Sequence, residues 1–262
     1  MRRFGNNWLQ LTTRAMRRPK RNCAPRGLMG HHHWAQHFLL PAPTRRNTCP
    51  EPATYEGRKI NVWGALFKFN EPGEVDVNPL LLREAAELAR EFGDRIVFTL
   101  GSALDLPFPK ETFDCVFSVT VLEECDANRA IAEMIRVARP GARIGIVVRA
   151  IDFAQWWNLE LLVAISAIAS IPPQSVGPGG VADASLYARM RHAGLVELCA
   201  FPTLITLDQP EGPIWRYRED DVLSRLSPEN AIAWSDAREK AARQGVLVQA
   251  HALHCAVGTK PI

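Results

Sequence analysis

The chain has 262 residues, 47% of them hydrophobic, and a formal net charge of +3. That is enough apolar content for one substantial buried core, which sets aside a disordered chain or a small disulfide-stapled module. A membrane-spanning helix is excluded as well: the longest apolar candidate, Leu159 to Ile171, is interrupted by Glu160 and closed by Pro172-Pro173.

Charge is unevenly distributed. Residues 1–50 hold ten Lys or Arg and no acid, while 21 basic and 28 acidic residues lie from Glu51 onward, so an arm of +10 precedes a body of −7. Residues 1–58 therefore read as a basic arm, unstructured or unrelated to the rest of the chain. Its Arg-rich, acid-free composition suits a mitochondrial presequence. It also suits binding of nucleic acid or anionic lipid, although the acidic body offers no groove for nucleic acid. His31, His32, His33 and His37 have no carboxylate or Cys at ligand spacing, so no metal centre is expected. Out-of-frame translation of GC-rich DNA yields the same composition, and the arm can equally be read that way. Six cysteines without a C-x-x-C pair point to reduced thiols and a soluble, cytoplasmic protein.

Residues 59–262 read as a single α/β domain with an insertion at 208–245. Ile60 to Phe69 is strand-like, and only Asn70 to Gly73 separates it from the strand end Val75-Asp76-Val77. A parallel crossover needs about a dozen residues, so this gap predicts a hairpin with its turn at Asn70-Glu71-Pro72-Gly73. Asn78 caps a helix over Leu80 to Phe92 that begins at Pro79 and ends at Gly93. Ile96 to Leu100 and Phe113 to Val119 are strands. Asp126 caps a helix with Ala130, Ile131, Met134, Ile135 and Ala138 on one face. Arg139-Pro140-Gly141 then turns the chain into the strand Ala142 to Val148. Asp183 caps Ala184 to Ala193, Leu195 to Phe201 is the next strand, and a polar helix spans Pro228 to Arg243. Val246 to Val257 is the final strand. This rhythm predicts a Rossmann-like, mostly parallel, doubly wound sheet with an antiparallel final strand and an irregular N-terminal portion.

The stretch Gly101-Ser102-Ala103-Leu104-Asp105-Leu106-Pro107-Phe108-Pro109, continued by Phe113 to Ser118 and closing at Arg139-Pro140-Gly141, resembles the second half of class I S-adenosylmethionine-dependent methyltransferases of the type 11 family. The resemblance covers roughly residues 74–152 and extends to 262 as architecture. It implies that Asp76 receives the cofactor's ribose hydroxyls, with Val77 against the adenine. It implies further that Gly101, Ser102, Ala103 and Ser118 line the same site. Ser102 stands where the family commonly has Asp, and a hydroxyl is the weaker partner for an adenine amino group. The family's glycine-rich loop has no counterpart upstream of Asp76, and residues 60–69 would fill its strand's place in reverse.

Methyl transfer is an in-line displacement governed by positioning and water exclusion, with a base required for a hydroxyl or protonated amine acceptor. His251 and His254 are the candidate bases, on the same or opposite faces of their strand depending on a bulge near Leu253. Trp156, Trp157, Trp215 and Tyr217 are candidates for lining an apolar acceptor pocket, or else core residues. Leu159 to Ile171 with the 172–180 loop would form a lid. The leading expectation is a methyltransferase using S-adenosylmethionine on a small-molecule acceptor. A cofactor-free pseudoenzyme and a protein tethered to nucleic acid by its arm are the alternatives.

Overall fold

The computed structural model describes residues 64–68, 71–90, 96–208, 210 and 212–262. The basic arm with its histidines, the first residues of the expected hairpin and the Gly93 helix stop lie outside these.

Eight strands form one sheet: β1 (Gly64–Lys68), β2 (Glu71–Asp76), β3 (Val97–Leu100), β4 (Phe113–Val119), β5 (Ala138–Arg149), β6 (Trp156–Trp157), β7 (Val196–Leu207) and β8 (Gln249–Thr259). Their spatial order is β3-β2-β1-β4-β5-β8, with β7 along the other edge of β8 and β6 continuing the β5 edge. β2–β3 and β4–β5 are parallel pairs, and β8 is antiparallel to β5 and β7. This is the expected α/β architecture with its antiparallel last strand.

β1 is antiparallel to both neighbours, pairing Ala65 with Glu74 of β2 and Leu66 with Val116 of β4. The hairpin inferred from the short gap is therefore present, but its turn is displaced. Lys68 pairs with Glu71, so Glu71, Pro72 and Gly73 belong to β2 rather than to the turn. Pro72 fits there because pairing with β3 starts only at Gly73, and its missing N–H removes no bond to β3.

Six helices complete the described fold: α1 (Pro79–Leu88), α2 (Ala127–Val137), α3 (Val163–Ala169), α4 (Ser185–His192), α5 (Pro213–Arg225) and α6 (Pro228–Arg243). Side-chain caps explain the starts of α1, α2 and α6. The Asn78 side chain accepts from the Leu80 N–H, Asp126 from the Asn128 and Arg129 N–H groups, and Ser227 from Asn230. Alternation along β5 and β8 splits the core in two. Ile144, Ile146, Val148 and Ala256 meet α2 and α4 through Ile131, Met134, Leu186 and Met190. On the opposite face, Trp157, Trp215 and Trp234 pack edge-to-face at 5.2 and 5.1 Å among residues of α3, α5 and α6. The 208–245 segment thus carries two helices, of which α5 was not foreseen.

Candidate functional site

β2 ends at Asp76, β3 at Leu100 and β4 at Val119, which places the expected cofactor residues along one edge of the sheet. Ligands of open α/β sheets bind at this carboxyl edge. The Gly101 N–H donates to the Asp76 carbonyl at 3.0 Å, tying the ends of β2 and β3 together. A side chain at Gly101 would stand 2.8 Å from Pro107 Cδ and 3.1 Å from Val75 Cγ1, so loop packing itself requires glycine. Asp76 Oδ1 accepts from the Asn78 N–H at 2.7 Å. Burial raises the Asp76 pKa, and the Asn78 and Val77 N–H groups oppose that shift. Val77 and Leu100 leave their apolar side chains exposed at the strand ends. Ser102 Oγ accepts from the Leu104 N–H at 3.1 Å, which closes its own turn and keeps the hydroxyl proton available. Ala103 packs at the margin of the main core, and Ser118 Oγ is buried without a partner.

The Leu104–Pro109 loop is held from behind by α2. Glu133 accepts from the Leu106 N–H at 2.7 Å, while Arg136 donates to the Leu106 and Phe108 carbonyls, each at 2.8 Å. The two side chains also pair with each other at 2.8 Å. The Arg136 hydrogen bond is the largest influence keeping Glu133 below its ordinary pKa. Sequence reasoning missed this clamp, although a Glu and Arg at i,i+3 opposite the apolar face of α2 was a visible signal.

A second polar group sits beyond the end of β5. Arg149 reaches Glu123 at 3.7 Å, Glu124 at 3.3 Å and the Ser175 carbonyl at 2.6 Å, and its backbone N–H donates to Glu123 Oε1 at 2.6 Å. Burial pushes Glu123 up to about 7, with Arg149 and backbone donors opposing. Tyr217 joins this group through Ser175 Oγ at 3.0 Å and Arg149 at 3.4 Å.

The two histidines separate cleanly. β8 is paired without a bulge from Gln249 to Val257, so His251 and His254 face opposite sides. His254 lies on the α4 side, bonded to Tyr187 Oη and Asp152 Oδ1, each at 2.7 Å. Its Nε2–H donates to the carboxylate and its Nδ1 accepts from the phenol. Both nitrogens are committed to clamping α4 and the 150–153 loop onto β8, which removes His254 from the candidate bases. His251 lies on the other side, where Nδ1 meets Gln249 Oε1 at 3.1 Å. An amide oxygen only accepts, so Nδ1 carries the proton and Nε2 keeps its lone pair. Burial, then the nearby Arg218, lower the His251 pKa well below 6.5, so the ring is neutral at neutral pH.

The tryptophan expectations are corrected in part. Trp157 and Trp215 are buried against Trp234, and the Trp215 and Trp234 indoles both donate to Glu219 at 3.1 Å, so these rings are core. Trp156 is 54% exposed on the outer face of β6. The expected lid is pinned rather than free. Gln155 and Arg225 hold the carbonyls at the end of α3, and the Gly177 N–H donates to the Glu123 carbonyl at 2.7 Å.

In this mixed sheet an acid ending β2, a required glycine after β3 and a clamped loop behind it meet at one carboxyl edge, where open α/β sheets bind ligands. Residues 64–146 match the methyltransferase domain family. A probable tocopherol O-methyltransferase of Oryza sativa is 40% identical over 76 residues, covering 28% of this chain and 21% of that protein. The ubiquinone/menaquinone biosynthesis C-methyltransferase UbiE of Pectobacterium carotovorum is 38% identical over 80 residues, covering 28% of this chain and 32% of that protein. Among solved structures, the YcgJ protein of Bacillus subtilis aligns at 19% identity with a TM-score of 0.46, over 74% of this chain and 83% of that one. The sequence matches thus span about a fifth to a third of the relatives' lengths. Over residues 64–146 the chain is thus similar to methyltransferase domains, whose methyl donor in the family resembled above is S-adenosylmethionine.

The described residues fit the nucleoside half of that cofactor. Asp76 can receive both ribose hydroxyls, Val77 and Leu100 offer apolar surface to a purine, and Ser102 and the orphaned Ser118 hydroxyl retain hydrogen-bonding capacity. The amino-acid half has no such cradle in β1, because the strand enters this edge at Gly64, opposite Ser118, instead of leaving it.

Proposed function

We propose that the chain is an S-adenosylmethionine-dependent methyltransferase acting on a small-molecule acceptor. The observation that carries this reading is the carboxyl edge formed by Asp76, Gly101, Ser102 and Ser118, within the segment that matches the family. Relatives named as acting on tocopherol, ubiquinone/menaquinone and ajmaline support a small molecule as acceptor. The cofactor supplies an electrophilic methyl group. Asp76 orients its ribose, the clamped Leu104–Pro109 loop shapes the adenine side, and neutral His251 can take a proton from the acceptor. Calorimetric titration with S-adenosylmethionine and S-adenosylhomocysteine tests the reading. Asp76→Ala is expected to weaken binding about tenfold or more, as loss of charge-assisted hydrogen bonds does. No heat at millimolar ligand from folded protein sinks the enzyme reading.

The reversed β1 favours a second reading, a binding module on the same fold that no longer transfers methyl groups. Binding of adenosine without turnover of any acceptor would support it. Nucleic-acid association through residues 1–50 is a weaker proposal, supported only by their charge, and a salt titration against a chain starting near Thr54 tests it.

A further inference from the structure

We infer that Arg218 and His251 form an oxyanion site for the acceptor, taking either an ionising hydroxyl or a carboxylate of the small molecule. The inference rests on the methyltransferase reading only for the role of the molecule bound.

Arg218 lies on the inner face of α5 and is 4% exposed. Among the described residues its guanidinium donates from Nη1 to Gln155 Oε1 at 2.9 Å, and its Nε finds no acceptor. No carboxylate among the described residues lies within salt-bridge distance. The two acids nearest it in sequence on that side of α5 are already engaged: Asp221 pairs with Arg225 at 2.5 Å, and Glu219 holds Trp215, Trp234 and Arg238. A buried cation without a counterion costs several kcal/mol, and an incoming anion would recover part of that. Burial, with Arg149 nearby, lowers Arg218 to about 10, so it stays charged at neutral pH.

The last β5–β8 pair is Arg149 with Leu253, so His251 stands one step beyond the end of β5, at the carboxyl edge of the sheet. The side chains form one chain of contacts. Arg218 and Gln249 Nε2, the latter at 3.5 Å, both address Gln155 Oε1, and Gln249 Oε1 fixes the Nδ1–H tautomer of His251. His251 and a fixed cation are therefore linked through one chain of contacts, near enough for the Arg218 charge to act on the imidazole, with Arg149, Tyr217 and Asp221 as the other ionisable groups acting on Arg218. For an acceptor hydroxyl, the O–H bond breaks, the proton passes to His251 Nε2, and the electron pair stays on an oxygen that Arg218 stabilises. An acceptor carboxylate would pair with Arg218 directly.

The test uses the full chain without cofactor, titrated by calorimetry and absorbance with benzoate, 4-nitrophenol and the neutral isostere benzamide. Benzoate or 4-nitrophenolate is expected to bind about tenfold or more tightly than benzamide, as a charged hydrogen bond provides. Benzoate alone identifies a carboxylate. A bound nitrophenol that ionises at lower pH than the free phenol identifies an ionising hydroxyl. Arg218→Gln, checked by near-ultraviolet circular dichroism, should abolish the preference for the anion. If that variant fails to fold, the comparison of anion with benzamide on the wild-type chain decides. Equal binding of benzamide, no saturable anion binding, or an unchanged preference in folded Arg218→Gln overturns the site. Titration of the same sample with S-adenosylmethionine keeps the failures apart: cofactor binding without anion preference removes this site and leaves the methyltransferase reading intact.

Discussion

Replacing Glu74 by Gln should flatten the pH dependence of stability. Glu74 sits in the middle of β2, 1% exposed, and neither carboxyl oxygen has a partner among the described residues. Burial, reinforced by the charge of Asp76, raises its pKa from 4.5 to about 9. Between those values the native protein keeps a proton that the unfolded chain releases. The unfolded state binds fewer protons, so stability falls as pH rises, by about 1.4 kcal/mol per pH unit. From its unfolded pKa to neutrality the loss amounts to about 3 kcal/mol, a large share of the roughly 5–15 kcal/mol that holds a domain together. Glutamine has nearly the same volume and cannot ionise. Its own unsatisfied amide is a cost that does not change with pH. Urea unfolding of both proteins from about pH 5 to about pH 8 should therefore show the stability difference moving by roughly 4 kcal/mol in favour of Glu74→Gln. Asp76, also raised by burial, adds to the slope in both proteins. A difference that stays constant across this range refutes the reasoning.

Adenosine should bind this chain almost as tightly as S-adenosylhomocysteine, because the site proposed here addresses only the nucleoside; a large preference for S-adenosylhomocysteine in competition calorimetry argues against that. Arg136→Ala frees the Leu106 and Phe108 carbonyls and should cost about 1–3 kcal/mol, with hydrogen exchange at amides 104–108 accelerated and exchange in β8 unchanged. In Gly180→Ala the new methyl would stand 2.4 Å from the Glu123 carbonyl oxygen, and the overpacking should lower stability by about 1–3 kcal/mol; a wild-type melting curve would show that the strap yields freely. Tyr187→Phe leaves His254 Nδ1 without its donor at a cost of about 1 kcal/mol, readable in denaturant unfolding and as a changed imidazole nitrogen signal.

What could be read in the sequence was what local chemistry determines. Asn78 and Asp126 start helices because a short polar side chain meets the first free N–H groups, and that signal needs no tertiary context. The reversed first strand could be inferred from gap length alone. The histidines could not be sorted because two residues three apart on a strand face opposite ways, and only the partners covering each face give them roles. For His254 those partners are Tyr187 and Asp152, 67 and 102 residues away. α5 escaped notice because Arg218 and Glu219 interrupt the apolar stripe of Trp215 and Val222. That interruption was the informative feature, since charges on an inward face are kept only where something answers them. The tryptophans stayed open between pocket and core because Trp157 and Trp215 find each other across distant sequence and form a core that no local pattern announces.

The reversal of β1 separates two jobs that one central strand performs together in a forward orientation. One job is to close the sheet. β2 and β4 each present a row of N–H and C=O groups that would otherwise form two open edges, and a strand of either direction can satisfy them. β1 does so with Ala65 on Glu74 and Leu66 on Val116. The other job depends on direction. A forward strand arrives at the carboxyl edge and continues into a loop and helix whose free N–H groups hold an anion. β1 instead starts at that edge with Gly64 and carries Lys68 and the hairpin to the opposite one. The proposed nucleoside site is therefore compatible with the reversal, because Asp76, Gly101, Ser102 and Ser118 follow or lie on strands other than β1. Among the described residues, the part of a ligand that would have met the loop after a forward β1 finds no such loop, so selectivity at this edge is expected to shift toward the nucleoside.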